Sequence, residues 1–166
     1  MEITSKEIIK LLEINKWHVS LTKRELTDAL IISTFNQNTS LELTDFIFTN
    51  PIHLVIQDFG FCNLDFSRST FQNSININVH GEGLAIINVS DCEFNMGLKI
   101  ESNNIKTEVN ANNSKANGEI ELGNSKTDDL SLNLWRGRRG AGASTCRYRR
   151  FGRTDRRVYD SCGEGG

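Results

Sequence analysis

The densest run of side chains able to do chemistry is "RYRRFGR". There Arg147, Arg149, Arg150 and Arg153 alternate with Tyr148 and Phe151. Guanidinium groups interleaved with aromatic rings suit phosphate contact and base stacking, so these six residues are the candidate nucleic-acid contacts. The other reactive residues are scattered. His18, His53 and His80 are far apart, and "HGEG" at 80–83 carries a lone Gly-x-Gly that reads as a turn. Asp128 and Asp129 are adjacent without a basic partner at matching spacing, and Arg68 and Lys99 read as isolated. The four cysteines, Cys62, Cys92, Cys146 and Cys162, form no Cys-x-x-Cys pair and no cluster with histidine, which argues against zinc. No Ser/His/Asp or Cys/His set converges. The expectation is therefore no catalytic residue, no metal ligand set and no cofactor.

These groups sit in a chain of two unlike parts. Residues 1–134 hold 10 Lys+Arg against 18 Asp+Glu, a net −8, with 18 Asn. Residues 135–166 hold 9 Arg against 3 acids, a net +6, with no Lys, Asn or Ile. The start, "MEITSKEIIKLLEINKW", has no apolar signal core, and no apolar run reaches membrane-spanning length. A cytoplasmic protein with reduced thiols and no membrane partner is expected. The Asn-x-Ser/Thr matches at Asn38, Asn88 and Asn112 then read as chance.

The elements that must position any site come from a repeat. Five segments fit one template, apolar-x-apolar-x4-apolar-x3-apolar-x-apolar. They are Val19, Leu21, Leu26, Leu30, Ile32; Leu41, Leu43, Phe48, Ile52, Leu54; Leu64, Phe66, Phe71, Ile75, Ile77; Ile87, Val89, Phe94, Leu98, Ile100; and Val109, Ala111, Ala116, Ile120, Leu122. A sixth copy begins at Leu132 and Leu134, so the period is 22 or 23 residues. Alternation at the paired positions marks strands with one buried face. Such short strands cannot bury that face alone, but stacked copies can. Each period becomes one coil, rising about 4.8 Å, with every strand parallel to its equivalents. Parallel connections of this kind wind right-handed. The fold class expected is all-β, a right-handed parallel β-helix.

Turn columns agree. Thr22, Thr44, Ser67, Ser90 and Asn112 follow the first strand, and Ser69, Cys92 and Ser114 form a small column two residues before the central apolar position. Cys92 reads as a small core residue. "TKRELTDALI" imitates a capped helix, but the template runs through it, so a coil is expected there. A helix is expected earlier, with Thr4 and Glu7 as a capping box and Ile8, Leu11 and Leu12 on one face. It would cap the open end of the solenoid, with Trp17 closing onto the first coil.

The five-residue step in "FSRSTF" and "VSDCEF" resembles pentapeptide-repeat proteins, and the longer coil resembles the general right-handed β-helix family, over residues 18–134. The first resemblance implies an acidic rod that mimics DNA, an idea that Lys99, Lys106, Lys115 and Lys126 weaken by interrupting the acids. The second implies an enzyme cleaving acidic polysaccharides through charged clusters on adjacent coils; His53, stacked over Asn76, reads instead as a solvated residue.

The domain organisation expected is a helical cap over 1–17, about five and a half coils over 18–134, and an irregular Arg/Gly-rich tail over 135–166, disordered. The abrupt exchange of Lys, Asn and Ile for Arg and Gly inside a coil, with Arg139 near the next central position, points to a reading-frame change or a junction. The chain then reads as a truncated solenoid. Its expected role is non-enzymatic, in structure or protein–protein interaction with an unknown partner. Nucleic-acid or anionic-surface binding by the tail is the alternative. End-to-end self-association is expected at the open strand edge above Ile120 and Leu122.

Overall fold

A computed structural model of the chain describes residues 1–124, 130–133 and 146–150. The chain opens with strand β1 (Glu2–Ile3) and helix α1 (Ser5–Ile14). The first coil is β2 (His18–Thr22), β3 (Glu25–Leu26) and β4 (Leu30–Phe35). The second is β5 (Thr39–Thr44), β6 (Ile47–Phe48) and β7 (Ile52–Gln57). β8 (Phe61–Asp65) and β9 (Thr70–Phe71) lead into the long β10 (Ile75–Asn88), whose halves serve two faces. β11 (Glu93–Phe94) and the long β12 (Gly97–Asn110) repeat that pattern. β13 (Lys115–Ala116), β14 (Glu119–Asn124), β15 (Leu130–Asn133) and β16 (Cys146–Arg150) follow.

Every described strand pair is parallel, and the register is that of the sequence template. Val19, Leu41, Leu64, Ile87, Val109 and Leu132 align on the first face. Leu26, Phe48, Phe71, Phe94 and Ala116 align on the second. Leu30, Ile52, Ile75, Leu98 and Ile120 align on the third. The molecule is thus a parallel β-solenoid. "TKRELTDALI" runs from the end of β2 through β3 into the start of β4 rather than forming a helix, because its apolar residues meet equivalents in the next coil at strand spacing.

The core fills by alternation. β5 and β7 each bury every second residue, and the buried set runs continuously from Ile3 to Leu122. Phe48, Phe71 and Phe94 stack as a column, with centroids 4.7 and 5.0 Å apart and planes within 13° of parallel. Phe66 meets Phe48 and Phe71 edge-on at 6.0 and 6.1 Å. Offset and edge contacts of this kind each contribute about 0.5–1.5 kcal/mol beyond the area they bury. Phe46 takes the position that later coils give to Ser69, Cys92 and Ser114, and it stacks on Phe48 at 5.3 Å.

The N-terminal cap has more parts than the helix alone. The Thr4 side chain accepts from the Glu7 amide, and the Glu7 carboxylate accepts from the Thr4 amide and hydroxyl. Ile8 and Leu12 are fully buried, and Leu11 and Trp17 pack against the core. Asp28 accepts from both the amide and the hydroxyl of Ser5, tying the helix start to the first coil. β1, which no periodicity announces, pairs parallel with β3 and covers that edge with backbone.

The Arg-rich segment differs from the expectation of an irregular tail where it is described. Cys146–Arg150 pairs parallel with β14, with Cys146 in register with Ile120 and Tyr148 with Leu122. The edge expected to be open there is therefore occupied. The alternation in "CRYRR" supplies the physical reason: its parity matches that of the strand beneath. Leu134 and Arg139, like the rest of 134–145 and all of 151–166, lie outside the described residues.

Candidate functional site

The turn after the first strand fixes most of the polar chemistry. Lys23, Asp45, Arg68, Asp91 and Asn113 all adopt positive φ, between 55° and 60°. Short polar side chains tolerate this left-handed conformation best; Lys and Arg do so at a cost. Just before it, Asp65, Asn88 and Asn110 accept through side-chain oxygens from the amides of Ser67, Ser90 and Asn112. These local Asx turns explain the polar residue at that point of each repeat.

Several charges along the coils are paired. Arg68 donates twice to Asp45, at 3.0 and 2.9 Å, and Thr22 donates to the same carboxylate. The Arg68 hydrogen bonds hold the Asp45 carboxyl below its usual range, and Asp45 in turn raises Arg68. Lys99 lies 2.8 Å from Glu101 and 3.6 Å from Glu121, and its hydrogen bond to Glu101 raises its pKa. Lys106 meets Glu108, and Lys115 meets Glu93, each at 3.5 Å. Arg68 and Lys99 are thus not isolated. Residues 22 or 23 apart in sequence are neighbours across a coil, so acids and bases that look dispersed are stacked.

His53 occupies an outward position in register with Asn76, as the repeat requires. His80, Asp58, Glu82 and Asn103, with Phe59 and Gly81, line an open cleft of about 430 Å³. Both glycines of "HGEG" have backbone reasons to be there. Gly81 has φ +150°, and a side chain on Gly83 would run into the carbonyls of Phe59 and Gly60. The motif is not the expected turn: it lies inside the continuous strand β10, at the register shift between Gly81 and Leu84 where the two halves of the strand part. Among the described residues, no group of three His, Cys, Asp or Glu side chains is placed to hold a metal.

The buried cysteines serve structure. Cys92 donates to the Phe66 carbonyl at 3.1 Å, and Ser114 accepts from the Cys92 amide while donating to Val89. Ser69 accepts in the same way from the Phe46 amide. Burial pushes both the Cys62 and Cys92 thiols up to about 12. Neither is a nucleophile near neutral pH.

Of the candidate nucleic-acid contacts, Arg147, Tyr148, Arg149 and Arg150 lie in β16, with Arg147 in register with Glu121 and Arg149 with Gly123. Phe151 and Arg153 lie outside the described residues, as do Asp128, Asp129 and Lys126. One feature escaped the template: Ile31 and Phe35, on the outward side of β4, are 64% and 58% exposed. The available signal was Ile31 itself, an apolar residue in a column otherwise filled by His53, Asn76, Lys99 and Glu121. No helix among the described residues is long and apolar enough to cross a membrane. No family model, no curated protein and no solved structure matches this chain.

Proposed function

We propose that this parallel β-solenoid is a non-catalytic protein-interaction or structural module. The observation that carries the reading is the pairing of charges along the coils: Asp45 with Arg68, Glu93 with Lys115, and Lys99 with Glu101 and Glu121. Acids and bases tied to each other present rows of mixed, locally neutral surface. Such rows suit contact with another folded surface better than bond cleavage or DNA mimicry, both of which need concentrated charge of one kind. Exposed Ile47, Phe61 and Met96 add apolar contact points between those rows.

The test compares the full chain with its Phe61→Lys and Met96→Lys variants in quantitative affinity capture, alongside a panel of acidic polysaccharides assayed for cleavage. Partners that a surface variant loses support the reading. Polysaccharide turnover by the unmodified chain would overturn it.

Nucleic-acid contact through Arg147, Arg149 and Arg150 is the second reading, favoured by their place in a strand registered on β14. Its signature is salt-sensitive RNA binding that is lost when the three are changed to Ala.

A further inference from the structure

Three strands edge the solenoid at its N-terminal end, and their edges differ. β3 is covered by β1, with the Glu25 amide donating to the Met1 carbonyl. β2 presents His18, Ser20 and Thr22, all polar and exposed. β4 is six residues long and, among the described residues, pairs only with β7. Its ladder parity is set by Leu30, which donates to the Pro51 carbonyl, and by Asn36, which donates to Gln57. Even-numbered residues therefore bond towards β7. In a parallel ladder the alternate residues direct their amide and carbonyl to the opposite side. Ile31, Ser33 and Phe35 thus aim their backbone groups away from the solenoid, and all three are exposed. Natural edges are usually guarded by a charge, a proline or a bulge. From Leu30 through Leu41 this chain has no charged residue and no proline.

We propose that β4 is a self-pairing edge, and that two copies of this chain join N-terminal end to N-terminal end through antiparallel β4–β4 addition centred on Ser33. The pattern is self-complementary about that residue. Two-fold pairing sets Ser33 against its own copy and sets Ile31 against the Phe35 of the other chain, twice. These are the residues whose backbone groups point outward, so all three pairs are hydrogen-bonded pairs of an antiparallel ladder, exchanging six backbone bonds. The two large apolar side chains gain cross-strand aliphatic–aromatic partners. Only the central residue meets its own copy across the two-fold, and there an uncharged serine stands in a run from Leu30 to Leu41 that carries no charge to repel its partner strand. One strand pair buries less than a standard interface, so the dimer is weak, with a dissociation constant on the order of micromolar. This pairing is independent of any foreign partner of the solenoid faces.

Charge placed on the two-fold tests it. Ser33→Lys and Ser33→Glu are exposed substitutions, and each sets like charges directly opposite in the dimer. Sedimentation of the full chain should show a reversible dimer, and each variant alone should dissociate at least about tenfold more readily. An equimolar mixture of the two should regain the dimer, because Lys then faces Glu; this also proves that both variants are folded. A wild-type chain that stays monomeric at high concentration overturns the proposal. So does a dimer indifferent to both substitutions, or a mixture that recovers nothing. A monomer that instead binds an unrelated extended peptide at this edge, blocked by Phe35→Lys, also overturns it and assigns β4 to a foreign strand.

Discussion

Two residues show how much one position of a coil demands. Lys23 sits in the left-handed column with φ 56° and is exposed, where a Cβ costs about 1 kcal/mol relative to glycine. Lys23→Gly should therefore raise stability by about 0.5–1 kcal/mol, read as an upward shift of the thermal midpoint; a fall would mean that the lysine makes a contact worth more than the strain. Cys92 shares its column with Ser69 and Ser114, whose hydroxyls make the same backbone bonds. Cys92→Ser should fold with stability within about 1 kcal/mol of the parent. The two chains should part at high pH. A thiol held up to about 12 in the folded state ionises earlier in the unfolded chain, near its ordinary value. Below that value the folded state loses nothing. As pH rises from the ordinary thiol value towards about 12, the unfolded chain sheds protons that the folded chain keeps, so stability falls. Cys92→Ser should flatten that decline in denaturant titrations, and Cys62→Ala should do the same, since Cys62 is held up by burial in the same way.

At the scale of elements, the phenylalanine column and the cap carry different kinds of stability. Phe71 lies between Phe48 and Phe94 and is fully buried, so Phe71→Ala opens a void that neighbouring coils cannot close without breaking register. The expected cost is about 3–5 kcal/mol, measured by chemical denaturation. Thr4→Ala removes one side of the capping box and should cost about 1 kcal/mol. Its more telling readout is hydrogen exchange. Loosening α1 should speed exchange in β2 and β4, the strands whose buried side it packs against, and leave β9 and β11 untouched, because each coil contacts only its neighbours. At the other end, β16 lies along β14. Removing residues 134–166 should hasten exchange of the amides in Ile120–Asn124; unchanged protection would show that the strand does not cover that edge in solution.

For the whole molecule, the sum of charges misleads. The body is strongly acidic in count, yet Arg68, Lys99, Lys106 and Lys115 are each paired with an acid on the same or an adjacent coil. These pairs lie at the surface, where solvent screens them, so screening them further with salt should barely move the thermal midpoint. A melting curve nearly independent of salt is the expected outcome; a steep dependence would assign the ladders a structural weight that their exposure argues against.

The sequence by itself determined the coil. Spacing from Val19 to Val109 set the period, the three faces, the column of Phe48, Phe71 and Phe94 and the register of nearly every strand, because burial with a period of two and stacking with a period of 22 or 23 residues are both written in residue type. The capping box at Thr4 was equally local and equally legible. Only the tertiary structure decided what depends on contacts between elements that share no pattern. β1 is two residues long and has no period, so its pairing with β3 follows from where α1 places it. The partners of Arg68 and Lys99 lie in neighbouring coils or two residues away on the same strand, and only the stacking brings them within reach. The cleft around His80 is lined from three successive coils, by Asp58 and Phe59, by His80, Gly81 and Glu82, and by Asn103, which only stacking brings together. The exposed edge of β4 is a property of position: the same alternation that makes an interior strand leaves Ile31 and Phe35 uncovered when no coil lies beneath.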